Sequence, residues 1–206
     1  MSIILALSDT HLTGPLTDGD YYPLQLRNLV KKANLVLHAG DFGCQGAYDD
    51  LVGLCNASKC ELWAIQGNQN TIIYRDGVKL PLQKAEDWFG IKIGLIHDAV
   101  DSHDLSCVLP LTAKEAQDII MENTGDVGVD VLVFGHIHEP IIKWYKDENG
   151  KEQLLVCPGP GSNEAIDLYH KCPPYPTVAL LECRKGNITS AEIITIVWQE
   201  MNQKSL

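Results

Sequence analysis

The chain has 206 residues, 45% of them apolar and 21% charged, with a formal net charge of −11. At this length roughly 70% of the unfolded surface can be buried, so a core forms without staples. The acidic balance repels nucleic-acid backbones and anionic membrane surfaces, which excludes general nucleic-acid binding, and no apolar run approaches the ~20 residues that span a bilayer.

Taken from the N-terminus, Ile3–Leu7 is a short β-branched run that reads as a buried strand. It is too short for a signal peptide and lacks a preceding basic region, so export is not expected. After the irregular stretch Thr13–Asp20, the stripe Leu24, Leu26, Leu29 and Val30 predicts a helix over Pro23 to Ala33. Leu35–His38 reads as a strand, Ala47 to Cys55 as a helix and Glu61–Ile65 as a third strand. This alternation implies βαβ units with parallel strands covered on both faces. From Leu80 onward strands dominate: Ala85–Phe89 and Ile91–Ile96 form a predicted hairpin about Gly90, followed by Val131–Phe134, Leu154–Val156, Val178–Leu181 and Glu192–Val197. Tyr145–Gln153 folds back through the polar turn Asp147-Glu148-Asn149-Gly150. A further helix is predicted over Thr112 to Asn123, where Thr112 and Glu115 make a capping box and Gly125 is a stop signal. Pro158–Pro176 is a second long irregular stretch, of a kind often used for function. With no repeat or linker, residues 1–206 are expected to form one layered α/β domain with a second sheet packed on the first. The seven cysteines, Cys44, Cys55, Cys60, Cys107, Cys157, Cys172 and Cys183, are odd in number and lack paired spacing, which suits reduced thiols in the cytoplasm.

Five of these strands end in chemistry. Asp9-Thr10-His11 follows the first, Gly40-Asp41 the second, Gly67-Asn68 the third, His97 the run Ile91–Ile96, and His136-Ile137-His138 the run Val131–Phe134. Residues two apart on an extended backbone point the same way, so each short pair is expected to offer two ligand atoms to one point. Ligand sites of open α/β sheets lie beyond the carboxyl ends of the strands, and all seven residues stand there. Seven oxygen and imidazole donors suffice for two metal ions, and nitrogen mixed with oxygen, without thiolate, points to Mn²⁺, Fe, Zn²⁺, Co²⁺ or Ni²⁺.

The ordered set Asp9-x-His11, Gly40-Asp41, Gly67-Asn68, His97 and Gly135-His136-x-His138 resembles the signature of calcineurin-like metallophosphoesterases, in particular the small phosphodiesterase branch related to the retromer scaffold subunit. Pro158-Gly159-Pro160-Gly161-Ser162 resembles that branch's Pro-Gly-Ser loop, and Pro173-Pro174-Tyr175 before Val178–Leu181 resembles its closing segment. The resemblance implies a four-layer α/β/β/α sandwich of two packed mixed sheets. It also implies two divalent ions, manganese foremost. Asp9, His11 and His138 would hold the first, and Asn68, His97 and His136 the second, with Asp41 bridging. A metal-bridging hydroxide would then attack phosphorus, with Asp41, Asn68 and His97 as the catalytic set. Two divalent ions minus two carboxylates and a hydroxide leave a charge near +1, which suits a phosphodiester monoanion.

Four departures from the family pattern bear on the substrate. Gln69-Asn70 stands where relatives carry a histidine and its carboxylate partner, and an amide is no general acid. Good leaving groups, or another donor such as His103, are therefore expected. No arginine follows Gly40-Asp41, so diesters are expected over monoesters; Arg75 and His103 are the candidate substrate-binding residues. Asp98, after His97, is expected to orient the imidazole or discourage highly charged substrates, while Leu12 replaces a common glycine without an evident reason. His38 is expected to buttress the site rather than bind metal, and His170, Asp18, Asp20 and Asp101 to be solvated loop residues. The expected partner is a small phosphate ester, with no membrane and with a homodimer as an option. The competing readings are a non-catalytic protein-interaction scaffold of the same fold and a phosphomonoesterase.

Overall fold

A computed structural model describes residues 1–16, 19–98, 129–146, 150–166 and 174–198. Strand β1 (Ser2–Leu7), helix α1 (Leu24–Val30), strand β2 (Leu35–His38), helix α2 (Gln45–Ser58) and strand β3 (Glu61–Ala64) supply the expected βαβ units. β1, β2 and β3 pair in parallel, Leu5 opposite Val36 and Leu37 opposite Trp63. The first sheet is completed by β11 (Thr177–Arg184) and β12 (Asn187–Thr195), antiparallel neighbours that give the order β12-β11-β1-β2-β3. The second sheet contains β6 (Gln83–Trp88), β7 (Ile91–Ile96), β8 (Val131–Val133), β9 (Ile141–Lys146) and β10 (Glu152–Cys157), in the order β6-β7-β8-β10-β9. Both sheets are mixed, as expected: β7, β8 and β10 run parallel, flanked by antiparallel β6 and β9.

Side-chain alternation along these strands sets the layers. Leu5 and Leu7 of β1 point to α1 and α2, packing with Leu26, Val30, Tyr48 and Leu51, whereas Ile4 and Ala6 point the other way. There they meet Leu35, Leu37, Ile93, Leu95, Val131, Val133 and Val156 in a core shared by the two sheets. Burying each such leucine or isoleucine is worth about 1.5–3 kcal/mol. Leu132 and Leu155 face outward from the second sheet into a third cluster with Phe134 and Tyr145. The helix expected over Thr112 to Asn123 lies outside the described residues, as do His103 and His170.

Several boundaries differ from the sequence reading. α1 is shorter than expected, and α2 extends to Gln45 and Ser58 because Lys59, at φ 58°, ends it in a left-handed cap while the Cys60 amide donates to the Cys55 carbonyl. β12 begins at Asn187, five residues before the predicted strand, paired to β11 through a bulge at Glu182 and Cys183. A small hairpin of β4 (Tyr74–Arg75) and β5 (Val78–Lys79) and a short helix α3 (Asn163–Ile166) were not predicted. Asp20, expected to be a solvated charge, pairs with Arg27 at 2.9 Å, and Arg27 also reaches Asp50 at 3.2 Å. No helix among the described residues is long and apolar enough to cross a membrane.

Candidate metal centre

The loops that leave β1, β2, β3, β7 and β8 meet at one edge of the sandwich. They are held together by backbone hydrogen bonds: the Asp9 amide donates to Gly40 O at 3.0 Å, His11 N to Asp41 O at 3.0 Å, and Gly135 N to His97 O at 2.9 Å. The Pro158–Ser162 segment closes the set from behind, with Gly161 N donating to Asp9 O at 3.1 Å and the Ser162 hydroxyl donating to Thr10 O.

Asp9 and His11 lie past the end of β1, so the extended-strand explanation for their convergence is incorrect. Asp9, His11, Asp41, His136 and His138 all have left-handed backbone, with φ of 50°, 46°, 57°, 71° and 54°. The side chains converge because the chain coils, not because it is extended. Left-handed backbone at a non-glycine residue is uncommon and clusters at functional sites.

Among the described residues two compact donor sets result, Asp9 with His11 and His138, and Asp9 with Asp41 and His97, every member buried. Asp9 Oδ1 is 3.4 Å from His138 Nε2 and 3.9 Å from both His11 Nε2 and His97 Nε2. Asp41 Oδ2 lies between the sets, 3.3 Å from His97 Nε2 and 3.7 Å from His11 Nε2. The first set is the trio expected for the first ion. In the second, Asp9 stands with Asp41 and His97, while Asn68 and His136 pair with each other at 2.9 Å, next to the His97 ring at a centroid distance of 5.4 Å. The structure thus brings all seven residues together, with Asn68 exposed and His136 partly so. Arg75 lies exposed on β4 and does not line the cleft beside the donors.

Neighbouring groups fix which imidazole nitrogen faces the donors. His97 Nδ1 is 2.7 Å from Ala39 O and His138 Nδ1 is 3.2 Å from Ala165 O. A carbonyl only accepts, so in each neutral ring Nδ1 carries the proton and Nε2 presents a lone pair to the carboxylates. Gln69 Nε2 contacts His11 Nδ1, and Gln69 N donates to Asp41 Oδ1 at 3.1 Å. The orienting partner of His97 is therefore Ala39, not Asp98, which is exposed. Sequence reasoning missed Ala39 and Ala165 because they act through their backbone carbonyls.

Lone pairs aimed at carboxylate oxygens need positive charge between them. In the metal-free chain, burial would lower the His97 pKa, but the Asp41 carboxylate beside it and the charge of Asp9 prevail and hold it up at about 9. Burial works against ionising Asp9, yet the His138 hydrogen bond and the His97 charge hold its pKa down at about 2. Burial likewise opposes ionisation of Asp41, and His97 outweighs it. Among the described residues His97 Nε2 is buried without a hydrogen bond of acceptable geometry. Such an orphaned nitrogen among two carboxylates and further imidazoles fits a divalent cation, which would take the place of the proton.

Glycines make the room. A Cβ at Gly40 would come within 2.7 Å of both His97 Nδ1 and Gln66 O, and one at Gly135 within 2.8 Å of Asp9 Oδ2. At Gly67 it would collide with Asp41 Oδ1. Leu12, unexplained from sequence, is fully buried in the core between the first sheet and the helices. His38 is buried behind the site, stacked on Phe42 at 3.5 Å with Nε2 3.2 Å from Thr10 Oγ1, which joins the β1 and β2 loops as a buttress.

Fold and donor set together define a protein of two packed mixed sheets with a metal-binding cluster at its strand ends. Residues 1–186 match the family model of the calcineurin-like phosphoesterase superfamily domain, and the chain belongs to that family. A probable metallophosphoesterase of Methanocaldococcus jannaschii is 29% identical over 158 residues, covering 76% of this chain and 67% of the relative. Among solved structures, a single mutant of Vps29 from Entamoeba histolytica superposes with a TM-score of 0.58 at 22% identity, over 95% of this chain and 99% of that one. The wild-type Vps29 complexed with Zn²⁺ gives a TM-score of 0.57 at 20% identity, over 94% and 98%. These two share the fold.

Proposed function

We propose that the chain is a phosphodiesterase that uses two divalent transition-metal ions, manganese foremost, in the cytoplasm. The observation that carries this reading is the pair of buried donor sets joined through Asp9, with Asp41 Oδ2 reaching toward a histidine of each. Asp9, His11 and His138 would hold one ion, and Asp41, Asn68, His97 and His136 are the donors for the other. Bound ions would supply Lewis acidity and water ionised near neutral pH. The protein's own part is to fix the imidazoles of His97 and His138 through Ala39 and Ala165, so that their Nε2 atoms are presented without reorganisation. The Zn²⁺ complex recorded for Vps29 supports the idea that this fold accepts a divalent ion at all. Diesters are preferred to monoesters because no lysine or arginine lines the described cleft to neutralise a second phosphate charge. Reduced surroundings are supported by the free Cys44, Cys55, Cys60, Cys157 and Cys183. The complete donor set favours catalysis over the scaffold reading.

Metal analysis of the purified chain with a substrate panel tests this. Two ions per chain and Mn²⁺-dependent turnover of bis(p-nitrophenyl) phosphate, exceeding that of p-nitrophenyl phosphate, are expected. A fully metallated sample inert toward every phosphate ester would refute the reading.

A further inference from the structure

Resting on that reading, we propose that Gln66 and Gln45 are positioning residues: their side-chain amides clip residues 67–74 to the body of the domain and so hold Asn68 and Gln69 against the donor cluster. From 67 to 79 Ile73 alone is buried, and a stretch with so little apolar contact opens easily when nothing else ties it down. Yet this stretch supplies Asn68, with Nδ2 2.9 Å from His136 Nδ1, and Gln69, whose N–H donates to Asp41 Oδ1 at 3.1 Å. It also contributes Asn70 and Thr71 to the wall of the cleft beside the donors.

Two glutamines supply the ties. Gln66, 4% exposed, follows β3 by two residues, and its own N–H donates to Pro81 O at 2.8 Å. Its side chain turns across to Ile73, Nε2 donating to the carbonyl at 2.6 Å and Oε1 accepting from the N–H at 3.3 Å. The Ile73 carbonyl also accepts from Leu80 N at 3.0 Å, so both legs of the excursion are tied at one buried point. One residue on, Gln45 at the start of α2 repeats the pattern on Tyr74, whose N–H donates to Oε1 and whose carbonyl accepts from Nε2, each at 2.9 Å. Gln45 Nε2 also donates to Asp49 Oδ1 at 2.9 Å, which holds the side chain in place. A backbone N–H only donates and a carbonyl only accepts, so their partners orient both amides, and each glutamine ties down one residue as a neighbouring strand would. A carboxylate of the same length would lose the donor, and an apolar side chain both groups. The ties spare a bound cation the cost of ordering Asn68.

The test uses the full chain. Gln66→Met keeps the buried bulk and removes both hydrogen bonds. In the metal-free variant, amide hydrogen exchange at Gln69 and Ile73 should rise about tenfold or more while that at Leu51 in α2 stays within about twofold of wild type. Calorimetric Mn²⁺ affinity should fall by about tenfold. Gln45→Ala, at a partly exposed site where folding is not at stake, should speed exchange at Tyr74 and weaken Mn²⁺ binding by about threefold, less because its tie lies farther from Asn68. If Gln66→Met does not fold, Gln45→Ala decides alone. Unchanged Mn²⁺ affinity in either variant would strike that glutamine from the role, and a loss matched by equally faster exchange at Leu51 would overturn the inference, because it marks general destabilisation. A wild-type chain that binds no Mn²⁺ would remove the phosphodiesterase reading as well, whereas normal Mn²⁺ binding by both variants would sink only the inference.

Discussion

Folding stability between pH 6 and 4.5 should be governed in large part by His38. Burial pushes its pKa from the ordinary 6.5 down to about 3, because the ring lies wholly inside the protein, stacked on Phe42. Nε2 is hydrogen-bonded to Thr10 Oγ1, and that hydroxyl is placed to donate to the Phe42 carbonyl at 3.2 Å, which makes Nε2 the protonated nitrogen. Nδ1 has no partner among the described residues, so a second proton there would be an unpaired buried charge. The sign follows from linkage. The folded pKa is depressed, so below pH 6.5 the unfolded chain takes up a proton that the folded chain refuses, and stability falls until pH reaches about 3. The slope is about 1.4 kcal/mol per pH unit, so lowering the pH from 6 to 4.5 removes about 2 kcal/mol through this residue. His97 works in a different window: its raised pKa of about 9 gives the metal-free chain stability that is complete below pH 6.5 and lost toward pH 9. Burial lowers the His11 pKa too, so the comparison must isolate His38. Urea unfolding of metal-free wild type and His38→Gln, which keeps an N–H near the Nε2 position without titrating, does so. The wild type should lose about 2 kcal/mol more than the variant over this interval. Parallel stability curves, differing by less than about 0.5 kcal/mol, would refute the account of a neutral buried imidazole.

Three other perturbations follow from the same geometry. Gly67→Ala should displace the Asp41 carboxylate and lower Mn²⁺ affinity by at least about 10–100-fold in calorimetric titration, while far-UV circular dichroism stays native. Ser162→Ala removes the hydroxyl that bonds both Thr10 O and Ala165 N, and should cost about 1–3 kcal/mol in denaturant unfolding. Stripping the metal with EDTA should lower Tm by about 10–20 °C, since two sites held at ~100 times their Kd contribute ~5 kcal/mol to the folded state. An unchanged melting curve would mean that no cation binds the folded chain tightly.

The sandwich was legible where the hydrophobic period was strong. Ile3–Leu7 alternates between two apolar environments, and a strand covered on both faces reads as a continuous apolar run, while Ile91, Ile93 and Leu95 all turn into the core between the sheets. β12 was cut short because its first half, Asn187 to Ala191, is mostly polar and exposed, and its place in the sheet depends on pairing with β11. The β4–β5 hairpin did carry a signal, Asp76-Gly77 with φ of 53° and 78°, but its short flanks are exposed on every residue. The candidate ligand residues stand out in the sequence by type and order, whereas the backbone carbonyls of Ala39 and Ala165 leave no trace in composition.

The left-handed ligands explain why glycine recurs in this pattern without being the ligand itself. At Asp9, His11, Asp41, His136 and His138 the backbone adopts the conformation that glycine accepts most readily, yet glycine has no donor atom. Each such residue costs on the order of 1 kcal/mol, and five together approach the lower end of a whole domain's stability. Aspartate and histidine are among the side chains that tolerate this region best, so the same residue types satisfy both the metal and the turn. Glycine is used instead one step away, at Gly40, Gly67 and Gly135, where a methyl group would meet a ligand or its neighbours. Gly-Asp, Gly-Asn and Gly-His are thus each a space followed by a candidate donor, and a strained backbone loaded with buried carboxylates is expected to reach its full stability only with a cation among them.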